Sequence, residues 1–346
     1  MATLKDLSEY TGYSIATISR ILNSDPSMSA SEETRKKVLE AADLLNYAAT
    51  KSRKGRNLKT VLSLGIAISC PHPRIQEYYE RLWRSSIGRV CRDMKIEPID
   101  IFFNNGGDLV RGPSEIDGIF AIGVFEDAQI EKMFRLSRNV VFLDTSPDEL
   151  HCDAVVINCH AGVAQMMEHL TSYGHSHIGY IGPCIGQYCL TRRITYELLY
   201  GIYMDAMQIC GLASYAWSLD VGIDAQETCQ ALLAYARNGG ELPTALFTVT
   251  EENAVGALAA LNELDIPVPE GISVIAFSNA AQLPRITPAL TTIHVQAEEM
   301  CRAAVRLIGQ HTTPGHMPPE LRATPHKVMI PPTLITRESV AQPRGN

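Results

Sequence analysis

The sequence predicts an α/β chain carrying a small all-helical head. Two observations predict the body. From Val61 onward, short apolar runs such as "VLSLGIAI" (61–68) and "DGIFAIG" (117–123) recur, and amphipathic stretches of helical period separate them. Continuous apolar strands alternating with helices are the pattern of buried parallel sheets. A third observation sets the head apart. Residues 1–60 hold ten bases against seven acids, whereas the remainder holds twenty against thirty-one. A basic head on an acidic body, within a chain of net charge −8, suggests that only the head meets phosphates.

The head reads as three helices. Leu4, Leu7 and Thr11 lie at helical spacing, and Gly12 after them permits a tight turn. Ser14 is a good N-cap for a second helix. There Ile18, Ile21 and Leu22 make an inward face, while Ile15, Ala16, Ser19 and Arg20 share the outward one. Asn23-Ser-Asp-Pro26 ends it, because proline disfavours helical geometry just before itself. Ser29 and Glu32 have the spacing of a capping box for a third helix, to which Val38, Leu39, Ala42 and Leu45 give a core face. Two short helices across a glycine turn, with a third behind, make a helix-turn-helix unit. Its second helix would enter the DNA major groove. Arg20 could bond a guanine edge twice or hold a phosphate, and Ile15 and Ala16 offer apolar contact to thymine methyls. Thr17 and Ser19 could hold the backbone, and Thr3, Ser14 and Asn23 complete the set of DNA-binding candidates in the head. After it, "KSRKGRNLK" (51–59) has five bases and no acid. Taken alone it is a solvated linker; beside a DNA-binding unit, Lys51, Arg53 and Arg56 would meet phosphates.

In the body, strands are expected at 61–68, 97–103, 117–123, 139–144, 153–158, 177–183, 245–249, 273–277 and 290–295. Helical stretches between them include 78–94, 161–173, 195–210, 225–237 and 253–264. That many strands suit two doubly wound lobes better than one sheet. Ligands of open α/β sheets bind beyond the carboxyl ends of the strands. There stand Asp144 after "VVFL", Thr250 and Glu251 after "ALFTV", and Ser278 and Asn279 after "SVIAF". Arg192 follows "HIGYIGP" at the start of a helix, and Trp217 lies in "SYAWSLD". Carboxylates and guanidinium groups that bridge adjacent hydroxyls, with an aromatic face, are what a sugar requires. Alone, Trp217 reads equally as packing and Asp144 as a turn residue.

Other classes are excluded. No run is long enough to span a bilayer, and "MATLKDLSEY" lacks the apolar core of an export signal, so a cytoplasmic protein without membrane contact is expected. The nine cysteines are scattered without a Cys-x-x-Cys pair, which suits reduced, buried thiols. Gly179, Gly182 and Gly186 do not form a dinucleotide fingerprint. His151, His160, His175 and His177 have no metalloprotease spacing. No nucleophile–base arrangement is visible, so neither catalysis nor a cofactor or metal is expected. A sugar-binding transport protein is the alternative, but it would need an export signal and would not need residues 1–60.

"TLKDLSEYTGYSIATISRILN" (3–23) resembles the N-terminal signature of the lactose repressor/galactose repressor family, and "EETRKKVLEAADLLNY" (32–47) its third helix. "VVFLD", "GHSHIGYIGP", "LFTVTEENAVGALAAL" and "GISVIAFSNAAQLPRITPALTTIHVQAEEM" extend the resemblance over essentially the whole chain. It implies that Ile15, Ala16 and Arg20 read operator bases. It implies a periplasmic-binding-protein-like core whose chain crosses between lobes near Cys159, Leu290 and Leu321. The domains would then be a helix-turn-helix domain at 1–47, a hinge at 48–60 and an effector-binding core at 61–340. Within the core, the N-lobe would take 61–159 and 291–320, and the C-lobe 160–290 and 321–340. The family's hinge helix presents a leucine wedge to the minor groove. Gly55 or Arg56 stands at that place here, and Leu58 is the nearest substitute. "NNGGDLVRGPSEIDG" is too short for the helix the family usually has before "DGIFAIG". The resemblance places Asp144, Arg192, Thr250 and Ser278 on the effector, with Arg193 the rival of Arg192. Thr250 stands for a usual asparagine and Ser278 for a usual aspartate; Glu251 or Asn279 would compensate, and Tyr78 joins the set. The function implied is a homodimeric repressor of a sugar-utilisation operon. It would bind palindromic double-stranded operator DNA and a small sugar, a galactoside, between its lobes.

Overall fold

A computed structural model describes residues 4–22, 31, 34, 37, 38, 41, 62–69, 73–103, 109–111, 116–184, 195–278, 286–312 and 324–343. The chain divides into two units, Met1–Thr60 and Val61–Asn346.

In the first unit, α1 (Leu4–Thr11) and α2 (Ile15–Leu22) flank a turn at Gly12, whose φ of 72° lies in the left-handed region. Its amide donates to the Ser8 carbonyl at 3.0 Å and closes α1. Ser14 caps α2 as its spacing predicts: its Oγ accepts from the Thr17 amide at 3.1 Å. Leu7, Ile18 and Val38 are wholly buried, and Ile21 and Ala41 nearly so. Thr34, Lys37, Val38 and Ala41 are helical, and the Ser31 Oγ accepts from the Thr34 amide at 3.2 Å. The cap of the third helix is therefore Ser31. Ser29, Glu32, Leu39, Ala42 and Leu45 lie outside the described residues.

The second unit holds two sheets. The first runs β12-β6-β5-β4-β1-β2-β3. Its strands are β1 (Leu62–Ser69), β2 (Ile96–Phe103), β3 (Leu109–Arg111), β4 (Gly118–Gly123), β5 (Val140–Leu143), β6 (Asp153–Ile157) and β12 (Lys327–Ile330). The second runs β13-β11-β10-β9-β7-β8. It contains β7 (Ile178–Gly182), β8 (Trp217–Asp220), β9 (Ala245–Thr248), β10 (Ser273–Ser278), β11 (Thr291–His294) and β13 (Thr333–Ile335). All neighbours are parallel except β2/β3 and β11/β13. The helices are α3 (Pro73–Met94), α4 (Asp127–Leu136), α5 (Cys159–Ser172), α6 (Thr195–Ile209), α7 (Ala225–Arg237), α8 (Glu251–Glu263) and α9 (Ala297–Thr312).

Every strand expected from the apolar runs is present within two residues of its place. The antiparallel β3 occupies the short segment that has no room for a helix. α4, α9 and the edge strands β8, β12 and β13 add to the expected set; β8 takes up Trp217, expected in a loop. β12 alternates exposed and half-buried residues, so its sequence lacks the apolar run that marks a buried strand. Two expected crossings move. β11 belongs to the second sheet and α9 packs on the first, so the chain crosses at 295–296 rather than near Leu290. It crosses back between β12 and β13 rather than near Leu321, at Pro331 and Pro332, whose missing N–H groups end the β12 ladder.

The order of strands reverses between β1 and β4 in one sheet and between β7 and β9 in the other. Such switch points open crevices at the carboxyl ends of the strands. The C-terminal tail is stitched to the opposite end of the second sheet. Val274 donates to the Ser339 carbonyl at 2.8 Å, and the Ala341 amide to the Ser273 Oγ at 3.0 Å. Of the seven described cysteines, none is bridged; Cys91, Cys152, Cys159 and Cys301 are buried, while Cys210 is exposed, contrary to expectation.

Candidate functional site

On α2 the two faces separate as the periodicity requires. Ile15 is 46% exposed, with Ala16 and Arg20 also exposed, while Ile18 and Ile21 are buried. Ile15 and Ala16 thus leave apolar surface beside the Arg20 guanidinium on one open face. Ser14 and Thr17 bond each other at 2.9 Å as well as capping the helix, so both hydroxyls serve first to fix its N-terminus. Ser19 is half-buried beside them. Thr3, Asn23, Lys51, Arg53, Arg56 and Leu58 lie outside the described residues.

In the core, a cavity of about 390 Å³ lies against the β5, β6 and β12 edge of the first sheet and the outer face of α6. That volume suits a small sugar. Asp144 lines it from the end of β5, with Ser146, Cys159, His160 and Ile202. Asp144 is 6% exposed and has φ of 68°, a conformation aspartate tolerates better than most residues. Its carboxylate adds to burial in pushing the Cys159 thiol up to about 12, so Cys159 stays protonated at neutral pH and is not a nucleophile.

The other effector candidates fare differently. Thr250 caps α8: its Oγ1 accepts from the Asn253 amide at 3.2 Å and donates to Asn253 Oδ1 at 2.7 Å. Asn253 Nδ2 in turn donates to the Gly222 carbonyl at 2.8 Å and to Thr228 Oγ1 at 2.9 Å. The Thr250 hydroxyl is thus committed within the fold. Glu251 is buried in the first turn of α8. Trp217 is not a sugar platform. It starts β8 opposite Gly179, toward the end of the sheet away from the crevice, and its ring packs edge-on against Tyr235 at 5.2 Å. Arg192, Arg193 and Asn279 lie outside the described residues, as do the side chains of Tyr78 on α3 and Ser278 at the end of β10.

Ser146, Cys159 and His160 escaped the sequence reading. Ser146 stands two residues past Asp144 and marks the loop after β5. Cys159 and His160 open α5 immediately after the first crossing. Among the described residues no cluster of His, Cys, Asp or Glu could hold a metal ion, and no helix is long and apolar enough to cross a membrane.

Residues 3–49 match the model of bacterial regulatory proteins of the lacI family, and residues 167–340 that of a periplasmic binding protein-like domain. Two relatives in Bacillus subtilis (strain 168) are each 29% identical. One is the HTH-type transcriptional regulator GanR, aligned over 98% of this chain and 100% of its own length. The other is the HTH-type transcriptional repressor MelR, aligned over 98% and 97%. Among solved structures, the Lac repressor bound to ONPG in its repressed state shares the fold. Its TM-score is 0.62 at 20% identity, covering 98% of this chain and 99% of that one.

Proposed function

The chain belongs to the lacI family of bacterial regulatory proteins, and on that premise we propose that the operon it silences serves galactoside utilisation. It is a DNA-binding transcriptional repressor with a sugar effector, and it is not an enzyme. It works in the cytoplasm, where its operator is. The reading rests on one conjunction: an exposed Ile15-Ala16-Arg20 face on a capped helix, joined in one chain to two doubly wound lobes. Two copies related by a two-fold axis present two such helices to a palindrome. Ile15 and Ala16 cover base-edge methyls, and Arg20 reads a purine edge. The basic segment 51–59 supplies phosphate contacts and a steep salt dependence.

Sugar and operator are coupled only through the lobes' preference. A sugar that binds one lobe arrangement better shifts the population towards it, and operator affinity follows. Asp144 and Glu251 are buried carboxylates that would accept from sugar hydroxyls. Footprinting the DNA upstream of the chain's own coding sequence, with and without lactose, melibiose and galactobiose, tests the reading. A protected palindrome that one of these sugars alters is expected. No protected palindrome would remove the repressor role, and protection indifferent to all three would remove the galactoside.

A further inference from the structure

The chain passes between the two lobes near Asn158, at 295–296 and at 331–332. Hydrogen bonds tie the first two crossings to the third. The Asn158 amide donates to the Ile330 carbonyl at 2.9 Å, just before the third crossing. Gln296 Nε2 donates to Thr333 Oγ1 at 2.8 Å, just after it. Gln165, on α5, grips the third crossing itself. Its Nε2 donates to the Pro332 carbonyl at 2.9 Å, and its Oε1 accepts from the Leu334 amide at 3.0 Å. Those are two groups that the edge strand β13 would otherwise offer to a further neighbour. The second Nε2 proton goes to the Ala161 carbonyl at 3.0 Å, one turn back on α5, which steadies the side chain against its own helix.

The packing around this clamp is close. Pro332 is buried, and a side-chain carbon on Gly162 of α5 would stand 2.8 Å from its ring. The rings of Pro331 and Pro332 fix their own φ, so the third crossing bends little within itself. Crossings that moved independently would let the lobes take up many relative positions, and a ligand would select among them weakly. We propose that Gln165 is a hinge pin, which binds the three crossings into one joint about which the lobes turn together. The joint stands on these contacts; its consequence for operator binding rests on the sugar-effector reading above.

Hydrogen–deuterium exchange on the sugar-free full chain tests the joint. Gln165→Met keeps the length of the side chain and removes its bonds. It should speed exchange at the Leu334 amide by about five- to tenfold, the loss of roughly one hydrogen bond. The Asn158 and Ala297 amides, which Gln165 does not touch, report on the first and second crossings and should quicken with it. The Ile119 and Ser273 amides, inside the two sheets, should not. Thr333→Val, at an exposed position, frees the second crossing alone and should quicken Asn158 too. Quickening confined to Leu334 in Gln165→Met overturns the joint, and so does quickening at Ile119 and Ser273 as large as at Asn158. In gel shifts, the factor by which lactose, melibiose or galactobiose changes operator affinity should fall about twofold or more in Gln165→Met. An undiminished factor overturns the role of the joint in the response. A wild type indifferent to all three sugars removes the galactoside reading alone, and exchange at Asn158 still decides the joint.

Discussion

Arg20 shows how little of a side chain's role is fixed by its own exposure. It stands on the same open face as Ile15 and Ala16, one turn past the capped start of α2, with Ile18 and Ile21 holding the helix from beneath. A guanidinium there can grip a base edge or merely a phosphate, and the two roles differ in measurement. Arg20→Ala should cost about 1–3 kcal/mol of operator binding, as a base contact does, and leave nonspecific DNA binding nearly unchanged. Gel-shift titrations on operator and scrambled DNA check this; equal losses on both would reduce Arg20 to a phosphate holder. His175 carries a second residue-scale expectation. It is 2% exposed, with Nδ1 at 2.9 Å from Thr244 Oγ1 and Nε2 at 2.8 Å from the Ala341 carbonyl. Burial lowers its pKa below the ordinary 6.5. The unfolded chain therefore takes up a proton that the folded chain refuses, and stability falls as pH drops below about 6.5. Thermal melting between pH 7 and pH 5 should show that fall, and His175→Gln should lessen it, with His169 and His294, whose pKa values burial also lowers, supplying the rest.

At the scale of the element, α8 begins at a buried polar knot rather than at a ligand contact. Thr250, Asn253 and Thr228 are all within 2% of full burial and satisfy one another. Thr250→Ala should destabilise the chain by about 1–2 kcal/mol, the usual worth of an N-cap, in urea unfolding. Sugar affinity should change by less than about twofold, since the Thr250 hydroxyl is already committed to Asn253. A larger loss of sugar affinity at Thr250 would restore it to the pocket. The same contrast explains what the sequence could disclose. Buried strands such as β4 and β7 are continuous apolar runs, so period and length identify them. The edge strands β12 and β13 are short and half-exposed, and their pairing depends on distant neighbours, so the two later crossings were misplaced. Asp144 was legible because it ends an apolar run. Trp217 reads as a loop residue because β8, like the edge strand β12, alternates exposed and half-buried residues and shows no apolar run. Ser146 left no signal, since lining a cavity is a property of its surroundings and not of its letter.

For the effector core as a whole, the two lobes meet through more than the three crossings. α3 follows β1 and α8 follows β9, so both helices start at the switch points where the crevices open. Between them Arg81 Nη2 reaches Glu252 Oε1 at 2.8 Å, an ion pair joining one lobe to the other. The second oxygen of Glu252 is buried and has no partner. Arg81 is 50% exposed, so solvent screens the pair and its worth is about 0.5 kcal/mol, at most about 1. A regulator whose two arrangements differ by a few kcal/mol still responds to such a bias. Breaking the pair shifts the population away from the arrangement that forms it, and the sugar concentration for half-maximal change in operator binding must move with it. Arg81→Ala and Glu252→Ala should each move that midpoint by about two- to fivefold in the same direction, and the double variant no further. The shift should shrink at high salt, because a half-exposed pair is screened there. Midpoints that add in the double variant would mean that the two side chains act separately. The lobes would then be held only by the crossings and the ligand.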